Sequence, residues 1–398
     1  MPHYRHLLQE LLLAYGPCGE EDAVRDVCRR ELDPVVDETW VDPAGNLIGV
    51  IRGGDQPAVR VSVHMDELSM LVKRVEPDGT LHLTPLGTMY PANFGLGPVA
   101  VLGQHETLCG VLALGSEHTT PESPRIWATK PDQGDKALDW PDVYVFTGLT
   151  TEELRQAGVG PGTRVCIDRC KRSLVDVGND YLGCYFMDDR APMTALLCCA
   201  RDLHAGPVPP GDVYFVFTTN EEIGGVGGAY ASRTLPGDLT LALEVGPTEP
   251  EYDTGVGGGP IVAYSDAQCV YDKAVADRLM QIADELGLAP QPAVLGAFES
   301  DASHDKAGAL APQAGLLCLP TLSTHGYEVI ADDAIPAMAQ VLTEYLRTRE
   351  SYARLSTPTP SGEVSRTASS RIRPRSRAVL NSTAISWAVR LPCGRNHR

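Results

Sequence analysis

The sequence predicts an α/β fold interrupted by a β-rich insertion. Two observations lead there. Amphipathic helical segments alternate with short apolar strands before about residue 70 and again after about residue 178. Between Leu71 and Gly178 the texture changes to short β-type runs separated by Gly, Pro and Asp, among them LHLTPLG, GPVAVLG, LCGVLALG and TRVCID, which read as a small barrel or sandwich. The predicted organisation is a discontinuous α/β domain over residues 1–70 and 179–350, a β-rich insertion over 71–178, and a disordered basic tail over 351–398.

Taken in order, residues 3–14 and 20–33 carry the leucine and valine spacing of amphipathic helices, with a turn from Gly16 to Glu20 between them. Asn46 to Gly53 and Ala58 to Glu67 read as strands; Val59, Val61 and Val63 alternate in the second. Inside the insertion only Thr151 to Gly158 has a helical signal, with a threonine and Glu153 suited to a helix start. Arg190 to Leu203 reads as a helix whose first turn tolerates Pro192. Asp212 to Thr219 is a strand, Gly227 to Leu235 a short helix, and Leu239 to Gly246 a strand. A helix over Tyr271 to Gly287, a strand over Gly315 to Thr321 and a helix over Asp332 to Thr348 complete the pattern; Pro336 places the start of the last nearer Ala334.

The 398 residues carry a formal charge of −19, but unevenly. Residues 351–398 hold nine arginines and one acid, a net of +8, which leaves −27 on the rest. Such a body argues against nucleic acid and anionic membranes as partners. The basic segment is rich in Ser, Thr, Pro and Arg and lacks the composition of a core. Eleven cysteines without disulfide-like spacing or CxxC read as reduced thiols of a cytoplasmic protein. No apolar run reaches 18 residues, and the leucines near the N-terminus follow a helical pattern, so neither a membrane span nor a leader peptide is expected.

Five short motifs carry the chemistry: VHMDE (His64, Asp66), FMDDR (Asp188), TTNEEIGG (Glu221, Glu222), LALEVG (Glu244) and LSTHGYE (His325). Each has an ordinary reading alone. Asp188 and Asp189 suit a helix N-terminus, Glu221 and Glu222 a solvated turn, His325 a loop. Together they sit at strand ends or helix starts of one α/β framework, where ligand-binding loops gather. Glu244 ends an apolar strand, a costly place for a lone carboxylate without a cation. Two imidazoles and three carboxylates suffice for two divalent cations, with Asp188 suited to bridge and Asp189 to support it. A carboxylate beside a ligand, in the Glu221–Glu222 pair, remains free as a base. Asp66, two residues after His64, is placed to fix the tautomer of that imidazole. This set of groups suits hydrolysis of an unactivated amide by water.

With VHMDE, MDDR, NEEIGGVGGAYAS, the acidic strand end at Glu244, ESDAS (Glu299 to Ser303) and THGYEV in this order, the chain resembles the metallo-aminopeptidases that include the tetrahedral (TET), deblocking and glutamyl aminopeptidases, some labelled cellulase or endoglucanase. The resemblance spans roughly residues 5 to 348. It implies an αβα sandwich of the phosphorylase/hydrolase-like zinc-exopeptidase type with an inserted small β-barrel that builds oligomer contacts. It also implies two divalent metal ions per chain, zinc or cobalt, one held by His64, Glu244 and bridging Asp188, the other by Glu222, His325 and the same Asp188. Glu221 is then the general base acting on a metal-bridging hydroxide, and Asp66 supports His64. Peptides with a free N-terminus are the implied substrates, and a homo-oligomer from dimer to dodecamer the implied assembly. Two positions depart from the family pattern: Glu244 stands where Asp is usual, and Pro192 where Gly is usual. A deacylase of N-acyl amino acids or other small amides, and a scaffold of the same fold with impaired catalysis, are the alternative readings.

Overall fold

The computed structural model describes residues 3–130 and 136–349. The expected basic tail over 351–398 lies outside the described residues. The strands, in chain order, begin with β1 (Glu38–Val41), β2 (Leu47–Ile51), β3 (Gln56–His64), β4 (Ser69–Val75), β5 (Leu81–Leu86) and β6 (Gly97–Leu102). They continue with β7 (Thr107–Ala113), β8 (Tyr144–Phe146), β9 (Arg164–Ile167), β10 (Val175–Val177), β11 (Tyr181–Tyr185) and β12 (Gly211–Thr218). The last are β13 (Leu239–Pro247), β14 (Ile261–Ser265), β15 (Gln291–Val294), β16 (Gln313–Leu322) and β17 (Tyr327–Ala331). The helices are α1 (His3–Leu13), α2 (Asp22–Leu32), α3 (Pro91–Phe94), α4 (Pro124–Trp127), α5 (Thr151–Gln156), α6 (Met187–His204), α7 (Val226–Thr234), α8 (Lys273–Glu285), α9 (Asp301–Ala307) and α10 (Ala334–Thr348).

Eleven strands form one mixed sheet with the path β1-β2-β12-β3-β13-β16-β17-β11-β10, and β14 and β15 branch from β16. The four central strands β12, β3, β13 and β16 run parallel. Their carboxyl ends therefore share one edge of the sheet, the usual ligand edge of such sheets. Being covered on both faces, these strands are almost continuously apolar: β13 is buried from Leu239 to Gly246. Along β13, Thr240 and Ala242 face α7 and α9, where Ser232, Ala302 and Asp305 meet them. Leu241 turns to the opposite face; it and Val275 of α8 press so closely on Gly315 that a Cβ there would lie 2.7 Å from Val275. Helices on both faces of the sheet make the predicted αβα layering.

The insertion is a closed barrel of order β4-β5-β8-β7-β6-β9. Closure removes free edges from strands only three to seven residues long. Val72, Leu81, Val101, Val145 and Val165 fill it. Thr150 caps α5 by accepting from the Glu153 backbone N–H, while Glu153 reaches back to the Thr150 N–H. β10 belongs to the large sheet, although the sequence reading grouped its residues with the insertion. Three exposed residues followed by Gly178 and Asn179 look like the insertion's own strands. No described helix is long and apolar enough to cross a membrane.

Candidate metal centre

The strand ends deliver the predicted residues to one place. His64 is the last residue of β3, Glu221 and Glu222 follow β12, Glu244 lies near the end of β13, and His325 follows β16. Asp188 arrives from the start of α6, where Asp188 and Asp189 depart from helical angles and are joined by a cis peptide. Regular helix begins after them, so Pro192 sits in a first turn and displaces no intrahelical bond of a settled helix. Asn220 (φ 54°) and His325 (φ 61°) adopt left-handed backbone angles, a strain that concentrates at functional turns.

Two groups of donors form around Asp188. His64 Nε2 lies 2.9 Å from Asp188 Oδ1 and 3.7 Å from Glu244 Oε2. His325 Nε2 lies 3.4 Å from Asp188 Oδ2 and 3.9 Å from Glu222 Oε2. Donor atoms of His64, Asp188, Asp189 and Glu244 fall within 4.8 Å of one another, as do those of Asp188, Glu222 and His325. Asp188 thus turns one oxygen to each group. Glu221 lines the same cavity as His64, Asp188, Glu222, Glu244 and His325.

Three further buried carboxylates hold the backbone beneath these residues. Asp189 Oδ2 accepts from the His64 backbone N–H at 3.1 Å. Asp66 accepts from the N–H groups of Glu221 and Glu222, at 2.9 and 3.1 Å. Glu328 accepts from those of Asp188 and His325, at 3.1 and 3.0 Å. The expected orientation of His64 by the Asp66 side chain is therefore not what the structure shows. His64 Nδ1 meets the Asp66 backbone carbonyl at 3.0 Å and the carboxylate only at 3.8 Å. The turn after β3 directs the Asp66 side chain to the Glu221–Glu222 loop instead, where Cys18 Sγ also donates to it. His325 Nδ1 is likewise oriented by a carbonyl, that of Thr88, at 2.7 Å.

Glu67, the last residue of VHMDE, is wholly buried between Arg172 and Arg190, with contacts of 2.5 and 2.8 Å. This triad draws the guanidinium of Arg190 away from the acids beside it in sequence. Sequence reasoning missed the roles of Glu67 and Glu328. For Glu328 a signal was present, a carboxylate three residues after His325. Asp301, in the ESDAS segment, accepts from Thr218 Oγ1 at 2.7 Å just below the site.

The electrostatics are those of a cation site. Burial, then the neighbouring Asp301 and Glu222, pushes the Glu221 carboxyl well above its ordinary range. Burial and then Asp189 do the same to Glu244, and burial with Asp188 raises Glu222 to about 7. Burial works against protonation of His64, but Glu244, Asp189 and Asp188 outweigh it and hold the imidazole well above the usual histidine value. His325 likewise rises to about 10 through Glu222 and Asp188 despite its burial. Acids that hold protons and imidazoles that gain them are the response of a crowded anionic site without a cation. Asp189 Oδ1 and Glu222 Oε1 are buried with no hydrogen-bond partner. A set of imidazole and carboxylate donors with unpaired oxygens suits divalent first-row metals.

A family model described as M42 glutamyl aminopeptidase matches residues 45–341. The chain belongs to this family. As an M42 peptidase it is a metallo-aminopeptidase, and divalent metal ions come with that membership. A lysyl aminopeptidase of Pyrococcus furiosus is 25% identical over 360 residues, covering 86% of this chain and 97% of the relative. A TET aminopeptidase of Thaumarchaeota archaeon SCGC AB-539-E09 has the same fold with a TM-score of 0.78 at 22% identity, over 86% of this chain and 96% of its own. A TET1 peptidase of Pyrococcus horikoshii, described as able to assemble into a tetrahedron or a large octahedral shell, aligns with a TM-score of 0.74 at 22% identity, over 86% and 99% of the two chains. The M42 fold explains why five dispersed motifs converge: four lie at or just beyond the carboxyl ends of the parallel strands, and Asp188 reaches the same edge from the start of α6.

Proposed function

We propose that this M42 peptidase removes the N-terminal residue of peptides at a centre for two metal ions, zinc or cobalt. The observation that carries the reading is the pair of donor groups sharing Asp188, with Glu221 beside them in one cavity. His64, Glu244 and Asp188 would hold one ion; Glu222, His325 and Asp188 would hold the other. Two divalent cations supply Lewis acidity toward the peptide carbonyl and lower the pKa of water. The chain's own residues do the rest. Glu221 takes a proton from the attacking water on its carboxylate and returns it to the nitrogen of the leaving amine. Asp66 fixes the turn that carries Glu221 through two backbone N–H bonds. Backbone carbonyls at Nδ1 of both histidines leave each Nε2 free to face Asp188.

Residues 1–70 and 179–350 are the proposed peptidase domain, and 71–178 the oligomerisation and access domain of a homo-oligomer, from dimer to dodecamer, in the cytoplasm. Glu221→Gln tests the mechanism. The variant should retain its metal while kcat falls about 10²–10⁴-fold, the usual scale for a positioned acid/base. Undiminished turnover would remove Glu221 from the role. N-acetylated amino acids should not be cleaved by the wild type; turnover of those alone would favour a deacylase.

A further inference from the structure

The turn between the first two helices reaches the loop of the proposed base. Gly16 to Glu21, GPCGEE, links α1 to α2. Its start is pinned to the chain after β3: Pro17 bridges to Glu67, and the Glu67 N–H donates to the Gly16 carbonyl at 2.9 Å. A Cβ on Gly16 would lie 2.8 Å from Arg190 Nη2 and 3.0 Å from the Met65 carbonyl oxygen, so close an approach needs glycine. The middle of the turn faces Asp66. There the Cys18 thiol, 2% exposed, donates to Asp66 Oδ2 at 3.2 Å. Burial pushes that thiol well above its ordinary pKa, so it stays an S–H donor. At the end of the turn Glu21, 3% exposed, accepts from the Gly19 N–H at 2.7 Å and from the backbone N–H of Asn220. Three consecutive N–H groups, those of Asn220, Glu221 and Glu222, thus end on two buried carboxylates, Glu21 and Asp66. Neither carboxylate forms an ion pair with lysine or arginine among the described residues. The barrel steadies the turn from its outer side, where Arg164 of β9 donates to the Cys18 carbonyl through Nε and Nη2, at 3.3 and 3.2 Å.

We propose that this turn braces the loop that carries Glu221, with Cys18 and Glu21 as positioning residues for the hydrolytic step. The inference rests on Glu221 as the base and adds residues that act on it from outside the centre. Asn220, the residue before the base, sits at φ 54°, a left-handed angle that persists only where the surroundings fix it. Glu21 fixes it from one side and Asp66, held by the Cys18 thiol, from the other. Glu222 of the same loop would be held by its cation, whereas Glu221 depends on the backbone of the loop for its place. An acid/base group must stand within hydrogen-bond reach of its proton, and a misplacement of about 1 Å can cost on the order of 10²-fold in rate. Loosening the brace therefore acts on the proton transfer more than on metal or substrate binding.

The experiment measures kcat, KM and bound metal of the metal-loaded full chain on its best-cleaved aminoacyl-p-nitroanilide. Cys18→Ala and Glu21→Met should each lower kcat about tenfold, the scale of one hydrogen bond to a charged group, with KM and bound metal little changed. Cys18→Ser, whose hydroxyl still donates to Asp66, should recover most of the wild-type kcat. Cys18→Ala added to Asp66→Asn should slow that variant no further, since the thiol acts through that carboxylate. An unchanged kcat in either Cys18→Ala or Glu21→Met overturns the brace while leaving the aminopeptidase reading intact. So does a Cys18→Ser no faster than Cys18→Ala, or a kcat that falls only as metal is lost. A fully active Glu221→Gln overturns the reading of the base, and the brace with it.

Discussion

His64, Glu244, Glu222 and His325 come from four strand ends, and their positions are set less by their own side chains than by acids beneath them. Glu328 is the clearest case. Its two oxygens accept from the backbone N–H groups of Asp188 and His325, so one buried carboxylate ties two elements together under both donor groups. Glutamine at 328 would turn an N–H toward one of these donors. That leaves a buried group unpaired, which costs about 1–3 kcal/mol. Glu328→Gln should therefore weaken metal retention about tenfold, the lower end for residues that orient ligands. Chelator competition followed by metal analysis reads the change, and unaltered retention would deny Glu328 this role. The donors themselves were legible in the sequence, because an acid that closes a buried apolar strand is costly to hold there without a cation. The clamps were not. Whether Asp66 faces His64 or the Glu221 loop depends on how the chain turns after β3, and no local pattern encodes that turn.

At the scale of elements, the buried helices and the central strands were legible because their apolar periodicity is strong. α1, α2, α8 and α10 match the segments expected within a few residues at each end. β1, β10, β11, β14, β15, β17 and α9 were not read from the sequence. They are three to seven residues long, and several strands carry exposed or Pro-containing positions, so pairing in the sheet decides the strands, and packing against it the helix, rather than propensity. Three segments are joined by the Glu67 triad: the turn after β3, the turn after β9 and the start of α6. Burial raises the Glu67 carboxyl, but Arg172 and Arg190 outweigh it and hold the group below its ordinary value. A depressed folded pKa means stability that is present above the ordinary carboxyl value and lost as pH falls through the folded one. Glu67→Gln leaves two buried guanidinium groups short of their anion and should destabilise the fold by about 3–5 kcal/mol. Urea unfolding at neutral pH measures it. A loss below about 1 kcal/mol would show that the triad contributes little.

Across the whole molecule, the site makes stability depend on pH and metal together. In the metal-free protein, burial and Asp188 raise Glu222 to about 7 and Glu328 to about 8. Burial raises Asp301 to about 7, and nearby acids overcome burial to raise His325 to about 10. All four folded pKa values lie above those of the unfolded chain. Their contribution is complete at low pH and is lost as pH rises through the folded values. Metal-free protein should therefore melt at a lower temperature at pH 9 than at pH 6. Metal binding displaces these protons, so the loaded protein should lose less over that range and gain most from metal at the higher pH. Differential scanning calorimetry of both forms decides this; a metal-free Tm that climbs from pH 6 to 9 contradicts it.

The proposed centre depends on Asp188 serving two cations at once. Metal analysis of the purified, metal-loaded full chain and of its Asp188→Ala variant tests that most directly. The wild type should hold two equivalents per chain, and the variant should lose affinity at both positions together, with its fold intact by circular dichroism. A wild type that saturates at one equivalent, or a variant that keeps two, contradicts the shared site.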